Sequence, residues 1–241
     1  MAQYIYGRNT VLSALKEKKV KTIYITDNFN FKPINDFLNK NSSILIKNVS
    51  KKELDTLTKF ANHQGVVAEI DDYKYSQLND LIEKANKSQY PLLVILDELK
   101  DPHNLGAILR CMDAFGADGV IIKKNGQVQV NSTVAKVSTG AIDYVPVCQV
   151  TNLVQTIKTL KERGYWIVAS DGSAKCDYRD VDYRSPIALV IGSEGEGISR
   201  LVLENSDFVT KIPMVGHVNS LNASVATAVY LAQIYSNRFP S

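Results

Sequence analysis

The sequence predicts an α/β protein: a mostly parallel sheet flanked by helices in the C-terminal region, with a smaller α/β domain ahead of it. Three features lead there. Beyond residue 90 four near-continuous apolar runs recur, at Leu92–Leu96, Gly119–Ile122, Tyr165–Ala169 and Ile187–Ile191. Runs without polar alternation suit strands buried on both faces. Stretches of helical period separate them, as in Leu105, Ile108, Leu109 and Met112, and alternating strands and helices build a doubly wound sheet. Ahead of them the elements are shorter and mixed, and residues 71–90 are rich in Lys, Asn and Gln. The expected division is a domain over 1–72, a linker over 73–90 and a second domain over 91–241.

Taken in order, residues 7–15 read as a helix with Val11, Leu12 and Leu15 on one face. Lys21-Thr22-Ile23-Tyr24-Ile25 alternates and is β-branched, a strand signature. A second helix is expected from Phe29 to Lys40 and a strand from Ser43 to Val49. Ser50 with Glu53 three residues on makes a capping box before a helix ending near Ala61. His63-Gln64-Gly65 turns into a strand through Ile70. Leu78, Leu81 and Ile82 give the linker a short amphipathic helix. Later helices are expected over Asn104–Phe115, Leu153–Arg163 and Leu221–Asn237.

The bulk composition is that of an ordinary globular enzyme: 241 residues, 45% hydrophobic, 22% charged, net charge +3. So mild an excess of cations permits a nucleic-acid partner without requiring one. Cys111, Cys148 and Cys176 form no C-x-x-C pair, and His63, His103 and His217 lie far apart, so neither a disulfide framework nor a metal site is expected. With no apolar run of membrane-spanning length, the chain is expected to be cytoplasmic.

Three segments carry chemistry. In the first, a strand ends at Asp97 and a helix opens on Asp101 and Pro102, followed by Asn104, Gly106 and Arg110. Asp and Pro favour those opening positions, and a loop at the carboxyl edge of such a sheet is where α/β folds bind ligands. A capped helix with a surface Arg is the plain alternative. The second is Gly192-Ser193-Glu194-Gly195-Glu196-Gly197 after a buried strand. Its glycine order reverses the dinucleotide fingerprint and no phosphate-loop Lys follows. Two acids would repel a phosphate but suit a ligand that is cationic or rich in hydroxyls, as S-adenosylmethionine is. The third is Ser220-Leu221-Asn222-Ala223-Ser224, opening an Ala-rich helix, with more polar side chains than a cap needs.

Together, in this order, the segments resemble the three motifs of the SpoU (TrmH) family of RNA ribose 2′-O-methyltransferases; Ser138-Thr139-Gly140-Ala141 is similar to another family element. Gly7-Arg8-Asn9 and His63-Gln64-Gly65-Val66 resemble the substrate domain of members that modify a guanosine of 23S rRNA. The resemblance implies a deep trefoil knot near the C-terminus, a homodimer with the active site close to the subunit interface, and an N-terminal RNA-binding domain like those of certain ribosomal proteins. It also implies S-adenosylmethionine as cofactor, Arg110 at the chemical step, Asn104 orienting Arg110 or the ribose, Glu194 holding the catalytic asparagine or serine in place or receiving a hydrogen bond from RNA, and Ser220 and Asn222 completing the polar pocket. Gly192, Ser193, Ile212, Leu221 and Asn222 would hold the cofactor. A guanidinium is rarely a proton acceptor, so two roles stay open for Arg110: a base made by a special environment, or a cation binding phosphate and stabilising a developing alkoxide.

For RNA contact the N-terminal basic residues Arg8, Lys16 and Lys18, with Tyr4, Tyr6 and Tyr24 nearby, are the candidates; a solvated lysine face is the plain alternative. The competing functions are tRNA guanosine methylation, a resistance methyltransferase acting on rRNA adenosine, and a non-catalytic rRNA-binding or ribosome-assembly factor. The intact polar motif residues weigh against the last.

Overall fold

The computed structural model of the chain describes residues 3–16, 19–41, 44–70, 73–218 and 220–240. Lys18, Ser43 and Asp72, which the sequence placed in an RNA contact, a strand start and a domain end, lie outside the described residues. The chain divides into two compact units, Met1–Lys74 and Tyr75–Ser241.

The smaller unit contains β1 (Gln3–Tyr6), α1 (Arg8–Lys16), β2 (Val20–Ile25), α2 (Lys32–Lys40), β3 (Leu45–Asn48), α3 (Lys51–Leu57) and β4 (Val66–Ile70). Its sheet order is β1-β4-β2-β3, antiparallel except for β2 with β3. Val11, Leu15, Ile23, Ile34, Val66 and Ala68 bury the inner face. The Ser50–Glu53 capping box forms: Glu53 N donates to Ser50 Oγ and Ser50 N donates to Glu53 Oε2 at 2.7 Å. Helix α2 starts at Lys32 rather than Phe29 because Pro33 sits in its first turn, where its fixed φ favours a start.

The larger unit holds α4 (Leu78–Ala85), β5 (Leu92–Leu96), α5 (Pro102–Ala114), β6 (Gly119–Lys123), α6 (Ser132–Val137), β7 (Val147–Val150), α7 (Leu153–Glu162), β8 (Trp166–Ser170), β9 (Cys176–Asp177), β10 (Ile187–Ile191), α8 (Arg200–Glu204), β11 (Phe208–Lys211) and α9 (Ala223–Arg238). Seven strands form one parallel sheet in the order β7-β6-β5-β10-β8-β11-β9. The apolar runs read from the sequence are its central strands, and β5 and β10 are buried throughout. The chain moves outward from β5 to β6 and β7, then returns so that β10 lies between β5 and β8. Such a reversal of winding opens a crevice at the carboxyl ends of the strands.

Residues 73–90 are not a spacer, contrary to the linker expected there. Leu81, Ile82 and Ala85 of α4 are buried with Ile121, Cys148 and Leu153, and Ser76 N donates to Val147 O. The polar composition belongs to the outer face of an amphipathic helix, which uses only one stripe for burial. Gly106 has a packing reason: a Cβ there would stand 2.7 Å from Val137 Cβ, so α5 lies against α6 only without one.

Arg238 fastens the last turn of α9. Its Nε donates to Tyr183 O, Nη1 to Tyr90 O at 2.7 Å, and Nη2 to Pro91 O and Ser185 O. Burial pulls this guanidinium down to about 10, partly opposed by Asp118. Arg238→Met is expected to cost about 3 kcal/mol or more, because it orphans several carbonyls at roughly 1–3 kcal/mol each. Urea unfolding checks this, and an unchanged midpoint would refute the clamp. No helix among the described residues is long and apolar enough to cross a membrane.

Candidate active site

The site is assembled at the carboxyl edge of the larger sheet, beside the winding reversal. Asp97 follows β5 and is 1% exposed. Its backbone N–H donates to Ile191 O and its Oδ2 accepts from Ser199 N at 2.8 Å. One buried residue, through its backbone N–H and its carboxylate, thus ties the start and the end of the loop that leaves β10. Inside the loop, Ser193 and Gly197 exchange both backbone hydrogen bonds at 3.0 Å. That closure brings the Gly197 backbone against Gly192, where a Cβ would collide with Gly197 C and O and Ile198 N. Gly195 and Gly197 have φ of 92° and 72°, the region glycine enters without strain. The glycines serve the loop's own closure.

Glu194 projects from this loop into a triad with two amides. Asn104, 6% exposed in the first turn of α5, donates from Nδ2 to Glu194 Oε1 at 3.0 Å. Asn222 Nδ2 donates to Asn104 Oδ1 at 2.9 Å and to the same Glu194 oxygen. Asn222 Oδ1 caps α9, accepting from Ser224 N at 2.9 Å and from Val225 N. Residues separated by as many as 118 positions are therefore held in one hydrogen-bonded unit.

Next to the triad is a cavity of about 300 Å³. Of the residues expected to hold a cofactor, Gly192, Ser193, Ile212 and Leu221 line it, as do Glu194 and Ser220. Asn222 does not; its amide bonds Glu194 and Asn104 instead. Ser170, Asp171 and Met214 line it too and were missed in the sequence. The signal for the first two was the polar pair closing the buried run that became β8, the same strand-end pattern that marked Asp97.

Arg110 stands apart. It is exposed on α5, and among the described residues no hydrogen bond or ion pair joins it to Asn104, Glu194 or Asn222. Six residues of helix turn Arg110 about 240° from Asn104 and carry it about 9 Å along the axis. In the smaller unit, Arg8 is exposed with its guanidinium 5.4 Å from the Phe31 ring centroid. Lys16 is also exposed but at the other end of α1, about 12 Å along the axis, so the two do not form one cluster.

A parallel sheet with a ligand cavity outside the carboxyl ends of its strands, bordered by a closed glycine loop and a polar triad, defines a ligand-binding α/β protein. Residues 91–232 match the SpoU rRNA Methylase family, and residues 4–76 match the family described as RNA 2′-O ribose methyltransferase substrate binding. YacO of Bacillus subtilis (strain 168), a protein named for the TrmH family of tRNA/rRNA methyltransferases, is 45% identical over 98% of this chain and 96% of its own length. A relative of the same family name from Staphylococcus haemolyticus is 48% identical over 97% of this chain and 95% of its own. The AdoMet-bound rRNA methyltransferase of Sinorhizobium meliloti superposes with a TM-score of 0.74 at 27% identity, covering 100% of this chain and 88% of that one. The chain belongs to the SpoU/TrmH family of RNA 2′-O-ribose methyltransferases.

SpoU methyltransferases use S-adenosylmethionine, and the residues present fit it. Ile191, Ile212, Met214 and Leu221 offer apolar wall for an adenine, and Asp171 and Glu194 supply negative charge for a cationic ligand. No Lys or Arg is among the described lining residues.

Proposed function

We propose that the chain methylates the ribose 2′-hydroxyl of a guanosine in 23S rRNA, acting in the cytoplasm as a homodimer with its C-terminal region tied in a deep trefoil knot. The observation that carries the methyltransferase reading is the Asn104–Glu194–Asn222 triad beside the cavity, since it joins all three motif segments at one ligand site. The match of residues 4–76 to a substrate-binding family supports an extended rRNA target. The knot is argued from membership of the family; Ser170, Gly192, Ile212 and Leu221, from separate stretches of chain, line one cavity. The dimer is supported by a chain of rings, Phe115, Tyr235, Phe239 and Tyr90, in which Tyr235 and Phe239 stay half exposed. It joins the C-terminal end of α5, the helix that also exposes Arg110, to the C-terminal end of α9.

When bound, S-adenosylmethionine supplies a methyl group on a cationic sulfur. Gly192, Ser193, Ile212 and Leu221 hold and orient it, and orientation alone is worth several kcal/mol, up to about 7–11. Glu194 fixes both amides, so Asn104 and Asn222 keep one rotamer each before substrate arrives. Ser220 offers its hydroxyl to the ribose. Arg110 binds the neighbouring phosphate and stabilises negative charge on the attacking oxygen. Its exposure on α5 is consistent with a cation that meets RNA rather than a buried base.

The test is transfer of tritium from labelled S-adenosylmethionine to unmethylated 23S rRNA, ribosomal precursor particles and tRNA, followed by mapping. Label on one guanosine ribose of the rRNA is expected. Label confined to tRNA, or to an adenosine, would overturn the substrate assignment, and none on any RNA would overturn the activity.

A further inference from the structure

The smaller unit has a cavity of its own, about 710 Å³, lined among others by Asn28, Ser50, Lys51, Phe60, Asn62 and Gln64. We propose that this groove receives an unpaired nucleotide of the RNA substrate, with its base stacked on the Phe60 ring. The proposal rests on the RNA methyltransferase reading and adds where the substrate is gripped.

Phe60 is 83% exposed, although burying such a ring ordinarily contributes about 1.5–3 kcal/mol. Its position makes this exposure informative. Helix α3 ends in a Schellman motif: Lys59 N donates to Thr56 O and Phe60 N donates to Asp55 O at 2.7 Å. An apolar residue in the Phe60 position of that motif commonly packs back onto the helix. Here the ring forgoes that contact and borders the groove.

The backbone is strained to hold it there. Lys59, Phe60 and Gln64 have φ of 53°, 63° and 54°, three of the five non-glycine residues with positive φ among those described. Lys59 has a reason in helix termination. A bulky residue following it in the same region costs about 1–2 kcal/mol without serving the core.

The loop is also tied down by hydrogen bonds. His63 is 5% exposed; its Nδ1 accepts from Gly65 N at 3.0 Å, which leaves Nε2 to donate to Asp55 Oδ1 at 3.1 Å. Val66 N donates to His63 O, closing the turn. A ring fixed in water on an ordered loop is a stacking platform whose ordering entropy is already lost.

The surrounding chemistry selects a base. The amides of Asn28 and Asn62 bring donors and acceptors to the groove, as the edges of an unpaired base require, while Gln64 Oε1 already accepts from Arg8 N at 3.0 Å and leaves that side chain its Nε2 donor. Asp27 and Asp55 also line the groove and would repel a phosphate, so the backbone is left at the rim, with Lys51 of the lining as its cation. Residues 1–74 contain twelve Lys and Arg against eight Asp and Glu, and the remainder sixteen against seventeen. The net positive charge of the protein thus resides in the unit that carries this groove, as phosphate contact demands.

The full-length protein tests this. Phe60→Ala is expected to raise the KM for 23S rRNA, and the Kd for a short mixed-sequence single strand, by about 5- to 100-fold. The affinity for S-adenosylmethionine should not move. Phe60→Gly should weaken RNA binding equally while keeping or raising the thermal midpoint, because it relieves the backbone. In a Trp166→Phe background, which removes the sole native tryptophan, Phe60→Trp should be quenched by the single strand and not by a duplex of the same length. A wild-type protein that methylates rRNA, with KM and Kd unchanged in Phe60→Ala, would overturn this inference and leave the activity standing. Absent methyl transfer by the wild type, with quenching retained, would do the reverse.

Discussion

The Arg110→Ala variant is expected to bind S-adenosylmethionine as the native protein does and to lose at least about 10²- to 10³-fold in kcat, the usual cost of removing one preorganised stabiliser of transition-state charge. The structure makes this a clean experiment. Arg110 is exposed on α5 and among the described residues bonds none of the triad, and it does not line the cavity. Its truncation should leave stability within about 0.5 kcal/mol, as for other surface changes. A fall in rate without a fall in cofactor affinity or folding is then chemical in origin. Arg110→Lys keeps charge but not the planar fork that grips a phosphate through two bonds, so a partial recovery is expected. Single-turnover methyl transfer alongside calorimetric titration of S-adenosylmethionine measures both quantities. A near-native rate in Arg110→Ala would remove the residue from the mechanism.

The second large effect is expected from Asn222→Asp. Asparagine and aspartate cap helices about equally well, so the bonds from Ser224 N and Val225 N that open α9 survive. What changes is the other half of the side chain. The Nδ2 that donates to Asn104 Oδ1 and Glu194 Oε1 becomes an oxygen. Two carboxylates then face each other, and the Asn104 carbonyl loses its donor. Like charges in contact raise the pKa of one of them. Below that raised value a shared proton restores one hydrogen bond, and above it repulsion opens the triad. The ratio of variant to native kcat/KM should therefore fall as pH rises. Asn222→Ala should lose activity with no such slope, and also lose about 1 kcal/mol of helix capping. A flat ratio near one for Asn222→Asp would show that the triad does not matter to the reaction.

Strong local signals carried far in this chain. The buried strands β5 and β10 were legible because two-sided burial demands unbroken apolar runs. The α3 capping box was legible because its two hydrogen bonds lie within four residues. Two short edge-side strands gave no such signal. β9 has two residues and β7 four, too few for a period to register, and their pairing comes from the neighbouring strand. The α4 helix was legible, but its place in the core was not: its polar face dominated the composition, while its burial depends on β7 and α7, which lie far along the chain.

The candidate site divides in the same way. Asn104, Glu194, Ser220 and Asn222 stood out because each opens a helix or leaves a strand at the edge where ligands bind. Asp97 and Asp171 drew less notice because a single acid after a strand is commonplace. Their weight appears only once Asp97 ties Ile191 to Ser199 and Asp171 faces the cavity.

By itself the sequence determined the α/β class, the major strands and helices, and the residue types that the chemistry needs, all through interactions spanning a few residues or one period. The placement of β10 between β5 and β8, the joining of Asn104, Glu194 and Asn222, the distance of Arg110 from them, and the exposed ring of Phe60 were decided by tertiary structure. Each depends on contacts between segments tens to more than a hundred residues apart, or on a helix phase and a backbone strain that local pattern does not encode.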